Sequence, residues 1–121
     1  MTTKVDVRLK RVYEPAHRGD GYRVLVERLW PRGLAREKAR IDEWARELAP
    51  SDALRRWYRH EPERFEEFRR RYVRELGSER ERLAELRRRA RRGTVTLVFA
   101  VREPRLSNAT VLASVLRRGL R

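Results

Sequence analysis

Apolar positions change period along the chain, and the changes mark its elements. Val5, Val7 and Leu9 alternate with Asp6 and Arg8, the period of a half-buried strand. Pro15 and the run Gly19-Asp20-Gly21 carry turn chemistry. Residues 22–29 form a second strand centred on Val24, Leu25 and Val26, ended by Pro31 and Gly33. The period then becomes helical. Ile41, Trp44, Ala45 and Leu48 are spaced i, i+3, i+4, i+7, and Pro50 closes that helix. Ser51 caps a short helix presenting Leu54, Trp57 and Tyr58. Pro62 suits the first turn of the next, whose Phe65, Phe68, Tyr72 and Leu76 make one stripe ending at Gly77. Ser78 with Glu81 reads as a capping box for a helix bearing Leu83, Leu86 and Ala90 and stopped by Gly93. Residues 94–101 are the most continuous apolar run, as in a strand covered on both faces. A last helix begins near Asn108 and turns Leu112, Val115 and Leu116 inward.

The order is strand, strand, four helices, strand, helix, and the long helical excursion is what a parallel crossover needs. It predicts a small α/β fold of three layers, with a short, mostly parallel sheet of about three strands and about five helices. The 121 residues fit one domain spanning 1–121, with no repeat or linker. No apolar run approaches ~20 residues and the first residues lack a signal-peptide core, so the expectation is a cytoplasmic protein with no membrane partner.

Charge changes this picture most. The net charge is +14, and only Lys4, Lys10 and Lys38 among the 32 basic residues are lysines. Residues 34–76 are nearly balanced, which predicts Arg–Glu pairs on the helix surfaces, whereas residues 77–121 hold 12 basic and 4 acidic side chains. Arg87, Arg88, Arg91 and Arg92 concentrate the excess on the outer face of one helix, a surface for nucleic acid. The blander account makes arginine a solubility and stability trait, with cations favoured at helix C-termini.

There is no cysteine, so thiol nucleophiles and thiolate-bound metals are excluded. His17 and His60 have no metal-ligand spacing, and no Walker loop, dinucleotide fingerprint or nucleophile elbow occurs, so neither metal nor cofactor is expected. His60, beside Glu61 and Pro62, reads as a helix junction. Tyr13 and Tyr22 flank the basic loop, where single-strand binders place stacking rings, but both are ordinary strand residues.

Two segments carry the candidate chemistry. Glu27-Arg28-Leu29-Trp30-Pro31-Arg32-Gly33 lies at the carboxyl end of the second strand, where open α/β sheets bind ligands. Arg28 and Arg32 would clamp an anion, Trp30 would wall the pocket and Gly33 would allow close backbone approach. Alternatively, Trp30 and Pro31 pack under the helices and Arg28 pairs with Glu27 or Asp42. The second segment runs from Arg102 to Ser107 and Asn108, where a helix N-terminus would present capping donors to the same anion, or simply a cap. Glu27 is the one general-base candidate.

The string Gly21-Tyr22-Arg23-Val24-Leu25-Val26-Glu27-Arg28-Leu29-Trp30-Pro31-Arg32-Gly33 resembles the YeaO-like branch of the domain-of-unknown-function family 488. The likeness continues through Asp42-Glu43-Trp44, Leu48-Ala49-Pro50-Ser51, Leu54-Arg55-Arg56-Trp57-Tyr58 and His60-Glu61-Pro62, and ends in Val95-Thr96-Leu97 and Val111-Leu112. The resemblance implies a small Rossmann-like α/β domain and brings no settled activity with it. Related branches carry a Cys-His-Arg string where this chain has Ser107-Asn108-Ala109. The YeaO-like branch commonly shows His and Asn near Leu106 and Ser107, and aspartate at the position of Glu27. The departures weaken an enzymatic reading.

The expectation is therefore a domain binding an anionic, phosphate-bearing or nucleotide-like ligand through Arg28, Trp30, Arg32, Gly33, Arg102, Ser107 and Asn108. The alternatives are a nucleic-acid-binding module using the C-terminal arginines and a non-catalytic structural or adaptor protein.

Overall fold

The fold, taken from a computed structural model, is described for residues 4–120. Four strands, β1 (Val7–Arg11), β2 (Tyr22–Leu25), β3 (Glu43–Trp44) and β4 (Val95–Phe99), lie parallel in one sheet in the order β1-β4-β2-β3. The helices are α1 (Arg36–Ala39), α2 (Asp52–Tyr58), α3 (Phe65–Leu76), α4 (Arg80–Arg92) and α5 (Asn108–Arg118). This is the α/β architecture with a short parallel sheet that the pattern predicts, with one further strand.

Side-chain alternation sorts the core into two sides. Val7, Val24, Val26, Val95, Leu97 and Phe99 pack on α2–α5, whose Tyr58, Phe68, Tyr72, Leu76, Leu86 and Leu112 fill the main core. The other face turns Val12, Leu25 and Val98 towards Trp30, Leu34, Ile41 and Trp44. No long helix covers that side, and the third layer consists of the single turn α1 and the segments around it. β4 is buried along its whole length because it lies between β1 and β2 with both faces covered, which explains its unbroken apolar sequence.

The thin side also buries a polar network. The buried Arg23 guanidinium donates to Asp20 at 2.6 Å and to the carbonyls of Ala39 and Arg40 at 2.8 and 3.1 Å. Lys10 Nζ lies 3.1 Å from each Asp20 oxygen, and Thr96 Oγ1 donates to the Asp20 carbonyl at 2.6 Å. Every charge in this network has a partner, the condition under which burial of charge is tolerated. Burial alone would raise the Asp20 pKa, but the His17 N–H, Lys10 and Arg23 outweigh it and hold the carboxyl below its ordinary value.

Three sequence expectations are corrected. Ile41–Leu48 is not a helix. The N–H groups of Asp42 and Ala45 each donate at 2.9 Å to the carbonyls of Arg23 and Leu25, laying β3 along the edge of β2. Ile41 and Trp44 then face the thin side while Ala45 and Leu48 face the helices, so the four apolar positions divide between both cores. Ser78 caps nothing. Its hydroxyl donates to the Glu75 carbonyl at 2.9 Å in the 3-10 turn that links α3 to α4, and α4 starts without a side-chain cap. β2 ends at Leu25, with one further ladder bond from Val26 N–H to Val98 O at 3.1 Å, because the Glu27 carbonyl instead accepts the Trp44 indole N–H at 2.6 Å.

Gly21 opens β2 at φ 63°, and a Cβ there would stand 2.3 Å from the Thr94 carbonyl oxygen. The chain crosses so close to the start of β4 that only hydrogen fits.

Candidate functional site

The residues leaving β2 build a crevice with α2, α3 and the start of α5. Arg28 donates to the carbonyls of Pro50 and Ala49 at 2.9 and 3.1 Å, fastening the segment that leads into α2. Ser51 caps α2 as expected, accepting the Leu54 N–H at 3.2 Å, and Glu75 of α3 takes the Ser51 hydroxyl at 2.6 Å. Opposite, Asn108 Nδ2 donates to the Val26 carbonyl at 2.7 Å, so the first residue of α5 is tied to the end of β2.

Between these anchors lies a cavity of about 40 Å³ whose lining includes Glu27, Arg28, Arg55, Tyr58, His60, Phe68 and Asn108. One water needs about 10–15 Å³ of such space, so the enclosed part holds a group of a few heavy atoms. Glu27 Oε2 accepts the Ala100 N–H at 3.1 Å. Burial raises the Glu27 pKa above the ordinary carboxylate value, while the Ala100 N–H and the Arg55 charge oppose the rise. Tyr58 donates to the Leu106 carbonyl at 2.8 Å, and burial pushes its hydroxyl up to about 12.

His60 reaches the rim through an unusual turn. Arg59 and His60 both take left-handed backbone, at φ 51° and 55°, and Glu61 N–H returns to the Tyr58 carbonyl at 3.1 Å. The imidazole stands edge-on to Tyr58 with ring centres 5.3 Å apart. Burial lowers its pKa from the ordinary 6.5, opposed by the Leu106 carbonyl and helped by Arg55, which favours the neutral form of the ring.

Of the residues expected from sequence, Arg28 and Asn108 meet in this cavity. Ser107 lies beside it with its hydroxyl committed, accepting the Thr110 N–H at 3.1 Å and donating to the Pro104 carbonyl at 2.7 Å. Trp30 belongs to the other face of the sheet. Its indole N–H donates to Leu34 O at 2.8 Å, its ring meets Trp44 edge-on at 5.4 Å, and Arg36 lies over it at 4.5 Å. Arg32, Gly33 and Arg102 are exposed and line no part of the cavity, and the Arg32 carbonyl accepts Tyr13 Oη–H at 3.0 Å. Arg28 forms no pair with Glu27 or Asp42, since its guanidinium is held by carbonyls.

Arg55, Tyr58 and His60 were absent from the expected set. A signal for them exists: Pro62 restricts the residue before it, the chain must turn between α2 and α3, and that turn swings His60 back over Tyr58. Whether the turn faced a cavity depended on the position of α5, which local pattern does not encode.

The C-terminal arginines divide. Arg87 does not share an outer face with its neighbours. It donates to the carbonyls of Leu116 and Val115 at 2.9 and 3.2 Å, covering the last turn of α5 as helix C-termini favour. Arg88, Arg91 and Arg92 are exposed. Among the described residues no group of three or more metal-ligating side chains occurs, and no helix is long and apolar enough to cross a membrane.

A small parallel α/β sheet with helices massed on one face and a crevice at its carboxyl ends defines a Rossmann-like domain. Residues 6–121 match the family described as the inactive DUF488-N3 subclade, and the chain belongs to that family. It is 47% identical over 116 residues to the Mycobacterium tuberculosis protein named uncharacterized protein Rv3073c, covering 96% of this chain and 98% of that one. It is 39% identical over 116 residues to uncharacterized protein YeaO of Escherichia coli, covering 93% of this chain and 98% of that one. No solved structure matches.

Proposed function

We propose that the chain is a non-catalytic binding domain whose crevice takes a small phosphate-bearing, nucleotide-like ligand. The observation that carries this reading is the cavity at the carboxyl end of β2, which combines the Arg55 charge, the His60 ring and the Glu27 carboxylate within one small space. Arg55 is exposed, so its bridge to Asp52 at 3.0 Å is exchangeable for a ligand phosphate. Glu27 accepts hydrogen bonds, so it suits a ligand hydroxyl or amino group and not a second anion. The enclosed volume admits that group alone, and the remainder of the ligand rests over His60 and Arg55. The description of the family as inactive supports binding without turnover.

Calorimetric titration with nucleoside monophosphates and with inorganic phosphate tests this. Nucleotides bind, Arg55→Gln weakens them by roughly tenfold, the loss of one charge-assisted contact, and Glu27→Gln weakens nucleotides more than it weakens phosphate. The absence of binding by every nucleotide at millimolar concentration overturns the reading, as does steady conversion of a bound ligand to product.

A further inference from the structure

The end of the sheet opposite this crevice carries a second concave surface. Tyr22, Arg88, Arg89, Arg92, Gly93 and Thr94 line an open groove of about 450 Å³ at the amino-terminal ends of β2 and β4. A second open groove of about 500 Å³, lined by His17, Arg18, Arg23, Arg40 and Asp42, meets it at Gly21. Together they form one channel across the start of the strands, with arginines on both banks.

Arg23 is buried and paired with Asp20, but the exposed cations along the channel are unneutralised. Among the described residues, none of Arg18, Arg40, Arg88, Arg89 and Arg92 forms an ion pair with a carboxylate, although Arg55, Arg69, Arg70, Arg71 and Arg82 elsewhere all do. The two carboxylates facing the channel are already engaged. Glu85 holds Arg82 at 2.6 Å, and Asp42 accepts the Arg23 backbone N–H at 2.8 Å. Arg40 has left-handed backbone, φ 49°, with its carbonyl turned inward to Arg23 at 3.1 Å while the residue itself is exposed. Tyr22 offers no free ring face on one side, since Arg89 lies 3.8 Å over it, and its hydroxyl donates to Glu43 at 2.8 Å.

We propose that this channel binds the sugar–phosphate backbone of nucleic acid without reading its sequence. Guanidinium groups spaced along a concave path match a polyanion, and they outnumber the single aromatic ring in the channel, so phosphate contact is the main means of binding. The site is distinct from the carboxyl-end crevice, so either can fail without the other.

The test is fluorescence anisotropy of labelled 20-mer single strands and duplexes of mixed sequence, at about 50 and 200 mM salt. Two double variants remove equal charge: Arg88→Gln with Arg92→Gln in the channel, and Arg69→Gln with Arg70→Gln on α3. Circular dichroism melts check that both fold. Wild type binds at the lower salt and weakens steeply at the higher, and the channel variant loses about tenfold or more in affinity for all sequences alike, with a salt slope smaller by about 1.4–1.8. The α3 variant stays close to wild type. Equal losses in the channel and α3 variants would show that net charge alone binds, and overturn the site. So would no binding at the lower salt, or adsorption to phosphatidylserine vesicles in place of nucleic acid.

Discussion

Asn108 and Val26 lie 82 positions apart, yet the Asn108 amide donates to the Val26 carbonyl at 2.7 Å in a buried setting. That bond joins the last ladder position of β2 to the first residue of α5 and fixes one wall of the crevice. Asn108→Ala leaves the Val26 carbonyl buried without a partner, and unfolding in urea should show a loss of about 1–3 kcal/mol. A change within a few tenths would mean that water replaces the amide.

Gly21→Ala should be severely destabilising, beyond about 3 kcal/mol, because the added methyl meets a backbone oxygen at 2.3 Å and the residue keeps φ 63°. Relief requires moving β2 away from the start of β4. A thermal melt within a few degrees of wild type would show that the two strands separate readily.

Arg59→Gly should stabilise the protein by up to about 1 kcal/mol. Arg59 is exposed and ends α2 in left-handed backbone, φ 51°, where glycine avoids the Cβ cost. Chemical denaturation would detect it, and a lowered midpoint would mean that the side chain contributes more than its backbone costs.

Asp20 should make stability depend on acid. Its folded pKa lies below the ordinary 3.8, so it contributes fully above the unfolded value, and the contribution disappears as pH falls through the depressed folded value. The difference in unfolding free energy between wild type and Asp20→Asn, measured from pH 6 to 2, should therefore shrink below about pH 4. A difference that stays constant over that range would show that Asp20 does not titrate with folding.

The sequence was most legible where one face of an element meets one core. Phe68, Tyr72 and Leu76 on α3 and Leu83, Leu86 and Ala90 on α4 are buried as their spacing predicts. It misled at Ile41–Leu48, where a helical spacing was met by two cores on opposite faces of a sheet, and backbone bonds to β2 decided the outcome. In the crevice, Arg28 and Asn108 could be read from their places at a strand end and a helix start. Arg55 and His60 could not, because their meeting depends on how α2, α3 and α5 pack. Trp30 misled because an indole beside two arginines describes a core contact and a ligand wall equally well.

The strand order has a consequence for the chain as it leaves the ribosome. β1 and β2 are made early but do not touch as neighbours, since the strand between them is made almost last. A nascent chain stopped before Val95 has helices α1 to α4 and only the brief β2–β3 pairing, with no strand for β1 to pair with. Closure of the sheet must therefore wait until residues 95–99 slide between strands that have been waiting with open edges, a late and non-local step that delays folding and exposes those edges to other chains.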